Sequence, residues 1–278
     1  MTSSDVPTAD QLRAAAGWNQ TPADWFRLLR WQPNGCFVAE FHNEIVGTVT
    51  TTVYAAQLAW IGMLLVHPSA RQRGIGQALL DRALAFLKAH TVPCVKLDAT
   101  PQGQRLYEKL GFRVECELAR WEASPLQPLA SANPSSAIRP WQKIDLGPAA
   151  EIDRAAFGIE RPEHLDDLSD QSTRRFTAAA AGKTAGFGFG RPGARAFYFG
   201  PICAGSPQLG ELLIEALART APAGLVFWDI PERNERACSI AQRLGFIRQR
   251  PFIRMVLGEN LFPTKPAHIY GITDPATG

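Results

Sequence analysis

The rhythm of apolar and polar positions changes along the chain in an order that predicts short helices followed by alternating strands and helices. Thr8-Ala-Asp-Gln11 has a capping-box pattern and predicts a helix ending near Gly17; Thr21, with Pro22 and Asp24, predicts a second one reaching Arg30. Phe37–Phe41 and Ile45–Tyr54 have strand character on either side of a His42-Asn43-Glu44 turn. Leu58–Val66 is apolar almost throughout and predicts a buried strand. From Gly74 to Ala89 the apolar residues Leu79, Leu80, Ala83, Leu84, Phe86 and Leu87 fall at helical spacing. Cys94–Leu97 then predicts a strand, Pro101–Leu110 a helix closed by Gly111, and Phe112–Trp121 a further strand.

The second half runs through the same order. Phe37, Ala39 and Gly47 return as Phe176, Ala178 and Gly186 at a constant offset of 139. Leu110-Gly111-Phe112 returns as Leu244-Gly245-Phe246 at an offset of 134. Matches in corresponding elements, in one order, point to a duplicated fold. Between the halves, residues 123–136 carry three prolines and four serines and predict a linker. The expected organisation is therefore 1–122, the linker 123–136, and 137–278.

One connection carries chemistry. Val66-His-Pro-Ser-Ala-Arg71-Gln72-Arg73-Gly74-Ile75-Gly76-Gln77 links the buried strand to the longest predicted helix. A helix start leaves about four N–H groups unpaired and bears roughly half a positive charge. Glycines let a phosphate approach that backbone, and arginine favours bidentate contact with its oxygens. No Lys-Ser or Lys-Thr pair follows the glycines and no third glycine completes a dinucleotide fingerprint, which disfavours a nucleotide hydrolase or a Rossmann dehydrogenase.

Composition narrows the picture. The chain has 278 residues, 46% hydrophobic and 20% charged, which is globular. Its 29 basic and 26 acidic residues leave +3, too little to argue for nucleic acid or a membrane surface. The five cysteines include no C-x-x-C pair, so neither a metal site nor a disulfide framework is expected. No basic stretch followed by an apolar core opens the chain, and no apolar run nears the roughly 20 residues of a membrane span. A cytoplasmic protein is the expectation.

Arg71-Gln-Arg-Gly74-Ile-Gly76 resembles the pyrophosphate-binding signature of the GNAT acetyltransferases, and Leu-Tyr107-Glu-Lys-Leu-Gly111-Phe112 resembles their second signature. The two lie about 35 residues apart in the appropriate elements. The resemblance implies an α/β (α+β) fold with a mixed, mostly antiparallel sheet, here as two tandem GNAT-like domains. It also implies acetyl-CoA as co-substrate, lying between the Leu58–Val66 and Cys94–Leu97 strands where they splay apart. Leu64, Leu65 and Val66 would then bind pantetheine, and the amides of Arg73, Gly74, Ile75, Gly76 and Gln77, beside Arg71 and Gln72, the pyrophosphate. Thr100 and Tyr107 would line the same site, with Tyr107 as general acid toward the leaving thiolate. The acceptor would be a small-molecule or peptide amine; a non-catalytic acyl-CoA sensor is the alternative.

No general base stands out. The usual glutamate on the splayed strand is missing from Trp60-Ile-Gly-Met-Leu-Leu-Val66. Asp98 is a candidate, but its repeat partner Asp229 suggests structural roles for both, and His67 reads as a turn residue. Two departures concern the sheet edge: too few residues precede the first helix for an opening strand, and Phe112–Trp121 is short for a closing pair. In the second half the cradle segment Gly200–Gly210 has no arginine, Pro207 removes an amide, and Ala241 stands where Tyr107 would be. That half is expected to be a degenerate copy; through Gly200-Pro-Ile-Cys-Ala, Asp229-Ile-Pro-Glu-Arg-Asn234 and Arg250-Pro-Phe-Ile-Arg-Met255 it resembles the C-terminal domain of some tandem GNAT proteins, which implies a wall over the substrate cleft or an interface.

Overall fold

The structure, a computed structural model, describes residues 1–127 and 135–278. Two helices open the chain, α1 (Val6–Ala15) and α2 (Pro22–Trp31). The first starts earlier than its sequence pattern suggests: Thr8 lies in its first turn, and the capping box belongs to Thr2 and Asp5 of the 3-10 turn before it. The second is capped as expected, with the Thr21 N–H donating to the Asp24 carboxylate at 2.7 Å. Next come β1 (Phe37–Phe41), β2 (Glu44–Tyr54), β3 (Leu58–Val66), α3 (Ile75–Ala89), β4 (Cys94–Ala99), α4 (Pro101–Lys109) and β5 (Arg113–Ala123). No strand precedes α1 among the described residues.

The second half contributes β6 (Ile138–Pro140), α5 (Leu146–Phe157), α6 (Pro162–Gln171), β7 (Arg174–Ala180), β8 (Lys183–Arg191), β9 (Phe197–Ala204), α7 (Pro207–Thr220), β10 (Val226–Pro231), α8 (Glu235–Arg243), β11 (Ile247–Leu257) and β12 (Ile269–Gly271). Ala123, expected in the linker, is the last residue of β5, and residues 128–134 of that linker lie outside the described residues. Among the described residues no helix is long and apolar enough to cross a membrane.

The described strands join one mixed, mostly antiparallel sheet in the order β1-β2-β3-β4-β11-β5-β10-β9-β8-β7-β6, with β12 on β9. Parallel pairing occurs at β3–β4 and β9–β10, the equivalent place in each half. The last strands of the halves have crossed over: β11 lies against β4, and β5 against β10. That exchange explains the short Phe112–Trp121 interval, because the missing closing strand comes from the other half. Alternation sorts the core on either side of an irregularity at Met63, where β3 changes phase. Ala59, Ile61, Val95 and Leu97 pack on the face covered by α3, while Met63, Leu65 and Ala276 pack beneath α1 and α2 on the other. The second half repeats the arrangement, with α7 and α8 on one face and α5 and α6 on the other.

Each crossed strand is locked by an ion pair at a directly opposed position. Arg254 of β11 sits opposite Asp98 of β4, donating from Nε and Nη2 to the two carboxylate oxygens at 2.8 and 2.9 Å. Arg120 of β5 sits opposite Asp229 of β10 in the same way, at 2.8 and 2.7 Å. All four side chains are buried. Their bidentate geometry is what makes such burial tolerable.

Candidate active site

β3 and β4 are in register only over Leu58↔Cys94, Ala59↔Val95 and Trp60↔Lys96; beyond that they part. A bulge assists. Thr48 pairs with Leu65 and Thr50 with Gly62, so Met63 and Leu64 together oppose Val49, and Met63 takes a left-handed φ of 48°. Thr48 Oγ1 donates to the Met63 carbonyl at 2.7 Å and holds the bulge in place. The gap opens into a cleft of about 830 Å³, within the range that holds a small organic ligand.

At the end of β3 the chain makes a 3-10 turn, Pro68–Ala70, and reaches α3 through Arg71–Gly74. His67 accepts the Ser69 N–H on Nδ1 at 3.3 Å and caps that turn. Gly74 is the N-cap of α3 with φ 77°, where a residue bearing Cβ is strained. The first N–H to bond into the helix is that of Ala78, to the Gly74 carbonyl at 2.9 Å. Those of Ile75, Gly76 and Gln77 therefore have no backbone partner and no side-chain cap among the described residues. A Cβ on Gly76 would meet nothing closer than Val66 at 3.7 Å, and one on Gly74 nothing within 4 Å. No protein atom requires glycine at 76; the space beside it belongs to the cleft. Arg71 stands alongside, its Nε donating to the Val66 carbonyl at 3.2 Å.

The cleft is lined by Leu64, Leu65, Val66, Arg71, Gln72, Gly74, Ile75, Gly76, Gln77, Thr100 and Tyr107. Of the residues expected to bind the cofactor, Arg73 alone does not line it; its guanidinium lies over the Phe41 ring at 5.2 Å. Thr100 is the N-cap of α4, and Tyr107 is on that helix with its ring in the wall. The ring packs edge-on against Phe112 at 5.9 Å and close to Gly103, where a Cβ would come within 3.0 Å of it. Burial pushes the phenol up to about 12. Asp98 is the one carboxylate among the described lining residues, and Arg254 occupies both its oxygens.

Comparison with known proteins agrees with this arrangement. A profile of the "Acetyltransferase (GNAT) family" matches residues 8–112, and one of the "Acetyltransferase (GNAT) domain" matches residues 149–271. The chain belongs to the tandem GNAT acetyltransferases. Over 270 residues it is 23% identical to the uncharacterised N-acetyltransferase YitH of Bacillus subtilis, spanning 96% of this chain and 93% of that one. A mycothiol acetyltransferase of Acidimicrobium ferrooxidans is 30% identical over 121 residues, 38% of this chain and 39% of the relative. Among solved structures, an acetyltransferase-type protein of Pyrococcus horikoshii superposes with a TM-score of 0.83 at 27% identity, covering 100% of this chain and 94% of the other. A tandem GNAT protein from the clavulanic acid biosynthesis pathway shares the fold at TM-score 0.65 and 19% identity, covering 92% and 96%.

The two GNAT halves differ at the cleft. β9 and β10 also pair over three residues, Phe197–Phe199 with Val226–Trp228, and then part. Here the gap is filled by the chain itself. β12 pairs with β9, the Trp228 indole N–H donates to the Tyr270 carbonyl at 2.7 Å, and the Ile272 N–H donates to the Asp229 carbonyl at 3.1 Å. Asn234, the repeat partner of Thr100, secures the plug by donating to the Ile269 carbonyl at 2.9 Å. Between β9 and α7 only Gly205 and Ser206 remain, against eight residues, His67–Gly74, in the first half. Ser206 caps α7 itself, accepting the Leu209 N–H at 3.4 Å, and Ala241 is packed in the core.

The second half, expected to wall the cleft or form an interface, does line its far side, through residues the sequence did not single out one by one. Arg120, Arg250 and Phe252 line it from the crossed strands, with Trp18 and Gln20 from the α1–α2 connection and Pro275 and Ala276 from the C-terminal segment. That segment lies close over β3: a Cβ on Gly62 would fall 2.4 Å from the Ala276 carbonyl oxygen. The available signal was the alternation Arg250, Phe252, Arg254 along one strand, which puts two cations and a ring on one face.

Proposed function

We propose that this chain transfers an acetyl group from acetyl-CoA to a primary amine by direct attack, in the cleft of its first half. The observation that carries the reading is the row of unpaired amides, Ile75–Gln77, at the mouth of the β3–β4 gap. Residues 1–122, completed in space by β11, form the catalytic unit in this reading. The backbone of Leu64, Leu65 and Val66 binds pantetheine; the amides of Arg73–Gln77, with Arg71 and Gln72 beside them, bind the pyrophosphate. Thr100 lines the path between them. The side-chain-free space beside Gly74 and Gly76 fits a phosphate group.

The thioester supplies an activated acyl carbon and a thiolate leaving group. The N–C bond forms as the C–S bond breaks, so one proton must leave the nitrogen and another must reach the sulfur. Tyr107, with its phenol held near 12, is protonated at neutral pH and donates to the sulfur, regaining its proton from solvent. A lysine-like amine of pKa about 10.4 is about 99.9% protonated at pH 7.4, so freeing its lone pair costs about 4 kcal/mol. Asp98 is engaged by Arg254, which leaves water in the cleft to carry that proton away.

Calorimetry is expected to find one acetyl-CoA per chain, because β12 fills the second gap. At 100 times Kd the ligand should stabilise the protein by about 2.7 kcal/mol, seen as a rise in Tm. No shift at millimolar acetyl-CoA overturns the reading. Tyr107→Phe is expected to keep acetyl-CoA affinity while lowering kcat about 10²-fold or more. Unchanged turnover, with the chemical step limiting, would make Tyr107 a packing residue.

A further inference from the structure

The two mouths of the cleft lie on opposite faces of the sheet. The cradle at the start of α3 is on one; Arg250, Phe252, Arg120 and Trp18 are on the face shared by α1 and α2. A thioester threaded through the β3–β4 gap from the α3 side presents its acyl carbon toward that second face, so the amine comes from there. The charges around this mouth identify what accompanies the amine.

Nearly every cation there has an occupation. Arg120 is held by both oxygens of Asp229, which also accepts the Tyr198 hydroxyl at 3.1 Å. Arg191 donates to the Gly200 and Thr273 carbonyls at 2.6 and 2.7 Å and pairs with Asp274. Arg195 donates to the Gly17 carbonyl at 2.6 Å, and Arg27 pairs with Asp24. Arg250 differs. Its guanidinium stacks on Phe252 at 4.9 Å, its Nε is enclosed with no acceptor, and no carboxylate among the described residues pairs with it. Partial burial, with Arg120 and Arg195 nearby, presses its pKa down to about 10 although Asp229 pulls the other way, and it stays charged at neutral pH. Asp98, across the cleft, is spent on Arg254.

Resting on the acetyl-transfer reading above, we propose that Arg250 is the specificity residue for an acceptor amine that also carries a carboxylate, as a free amino acid does. The two Nη groups of a guanidinium match the two oxygens of a carboxylate, and the enclosed Nε and the stack on Phe252 fix the plane of that fork in advance. A polyamine would instead bring a second cation toward Arg250 and be repelled. The strand supplying this selector belongs to the second half, so the degenerate copy reads the acceptor for the active one.

The test uses the full chain with saturating acetyl-CoA, the twenty amino acids, their α-amides and spermidine, with release of CoA thiol as the readout. At least one amino acid is expected to exceed its amide about 10- to 100-fold in kcat/KM. Amidation lowers amine basicity, so the preference runs against intrinsic reactivity. Arg250→Gln should remove it by raising KM for the acid far more than for the amide, and be partly rescued by Arg250→Lys. Turnover of amides or spermidine as good as any amino acid overturns the proposal, as does a preference that survives Arg250→Gln. A second measurement needs no turnover: N-acetylglycine and N-acetylglycinamide are titrated into the CoA complex of ¹⁵N-arginine-labelled protein. The Nε signal lost in Arg250→Gln should move with the acid and stay with the amide; equal or absent movement overturns the proposal. Failure of acetyl-CoA to bind would instead reject acetyl transfer itself, which calorimetry reports separately.

Discussion

Acetyl-CoA binding is expected to disappear in the double variant Gly74→Glu/Arg71→Ala, whereas Gly205→Glu in the second half should leave affinity intact. In the first half the new carboxylate enters the field of the unpaired Ile75–Gln77 amides, where it competes with and repels the pyrophosphate. Gly74 has φ 77°, so Glu there also carries about 1–2 kcal/mol of backbone strain. Gly76→Glu is the cleaner companion: its φ is ordinary, and its Cβ would sit 3.7 Å from Val66. A folded Gly76→Glu protein that binds as tightly as wild type would show that the cradle is not the phosphate site. At Gly205 little waits for an anion, because Ser206 caps the Leu209 amide of α7 and Pro207, at the first position, has none. Residual one-site binding in the first-half variants would mean that the second half binds after all.

The cradle was legible in the sequence because all its parts are local. Arg71, Gln72, Gly74 and Gly76 lie within six residues, and the strand before and helix after them each announce themselves by period. Tyr107 was legible for the same reason, lying four residues before Gly111 at the end of one short helix. The opposite wall was legible as a role of the second half but not residue by residue. Arg120, Arg250 and Pro275 come from three segments separated by more than 100 residues in the widest case, and only strand order brings them together. The true start of α1 was hidden by a competing pattern, since Thr8 and Gln11 imitate a cap one turn inside the helix.

The strand exchange was equally invisible. β5 and β11 are repeat partners of equal length, each with an arginine at the same place, Arg120 and Arg254. Alternation says which face each residue occupies, but not which half's parallel strand it will join. Either strand could satisfy either edge by pattern alone. What distinguishes the crossed arrangement is that it makes one sheet of the two halves and carries Arg250 and Phe252 to the first cleft. The organisation 1–122 and 137–278 thus describes the order of the chain, while the site draws on both segments.

Arg254→Met is expected to be the most damaging single change to stability, at about 3–5 kcal/mol against a total of about 5–15 kcal/mol for a folded protein. Arg254 is 1% exposed and Asp98 0%. Removing the arginine leaves the Asp98 carboxylate, its side chain buried at the floor of the cleft, without its counterion, next to Trp60, on which the guanidinium had stacked at 4.5 Å. The loss should appear in urea as a lower midpoint with an unchanged slope. Because β11 is the second half's strand in the first half's edge, both halves should still unfold in one transition, shifted together. The double change Asp98→Leu/Arg254→Met should recover much of the loss, since apolar residues of similar volume leave no charge to desolvate. Two separate transitions, or a loss confined to one half, would mean that the crossed strands do not couple the halves energetically. A single variant within about 1 kcal/mol of wild type would mean that water reaches Asp98 and that the pair is far less enclosed than its geometry indicates.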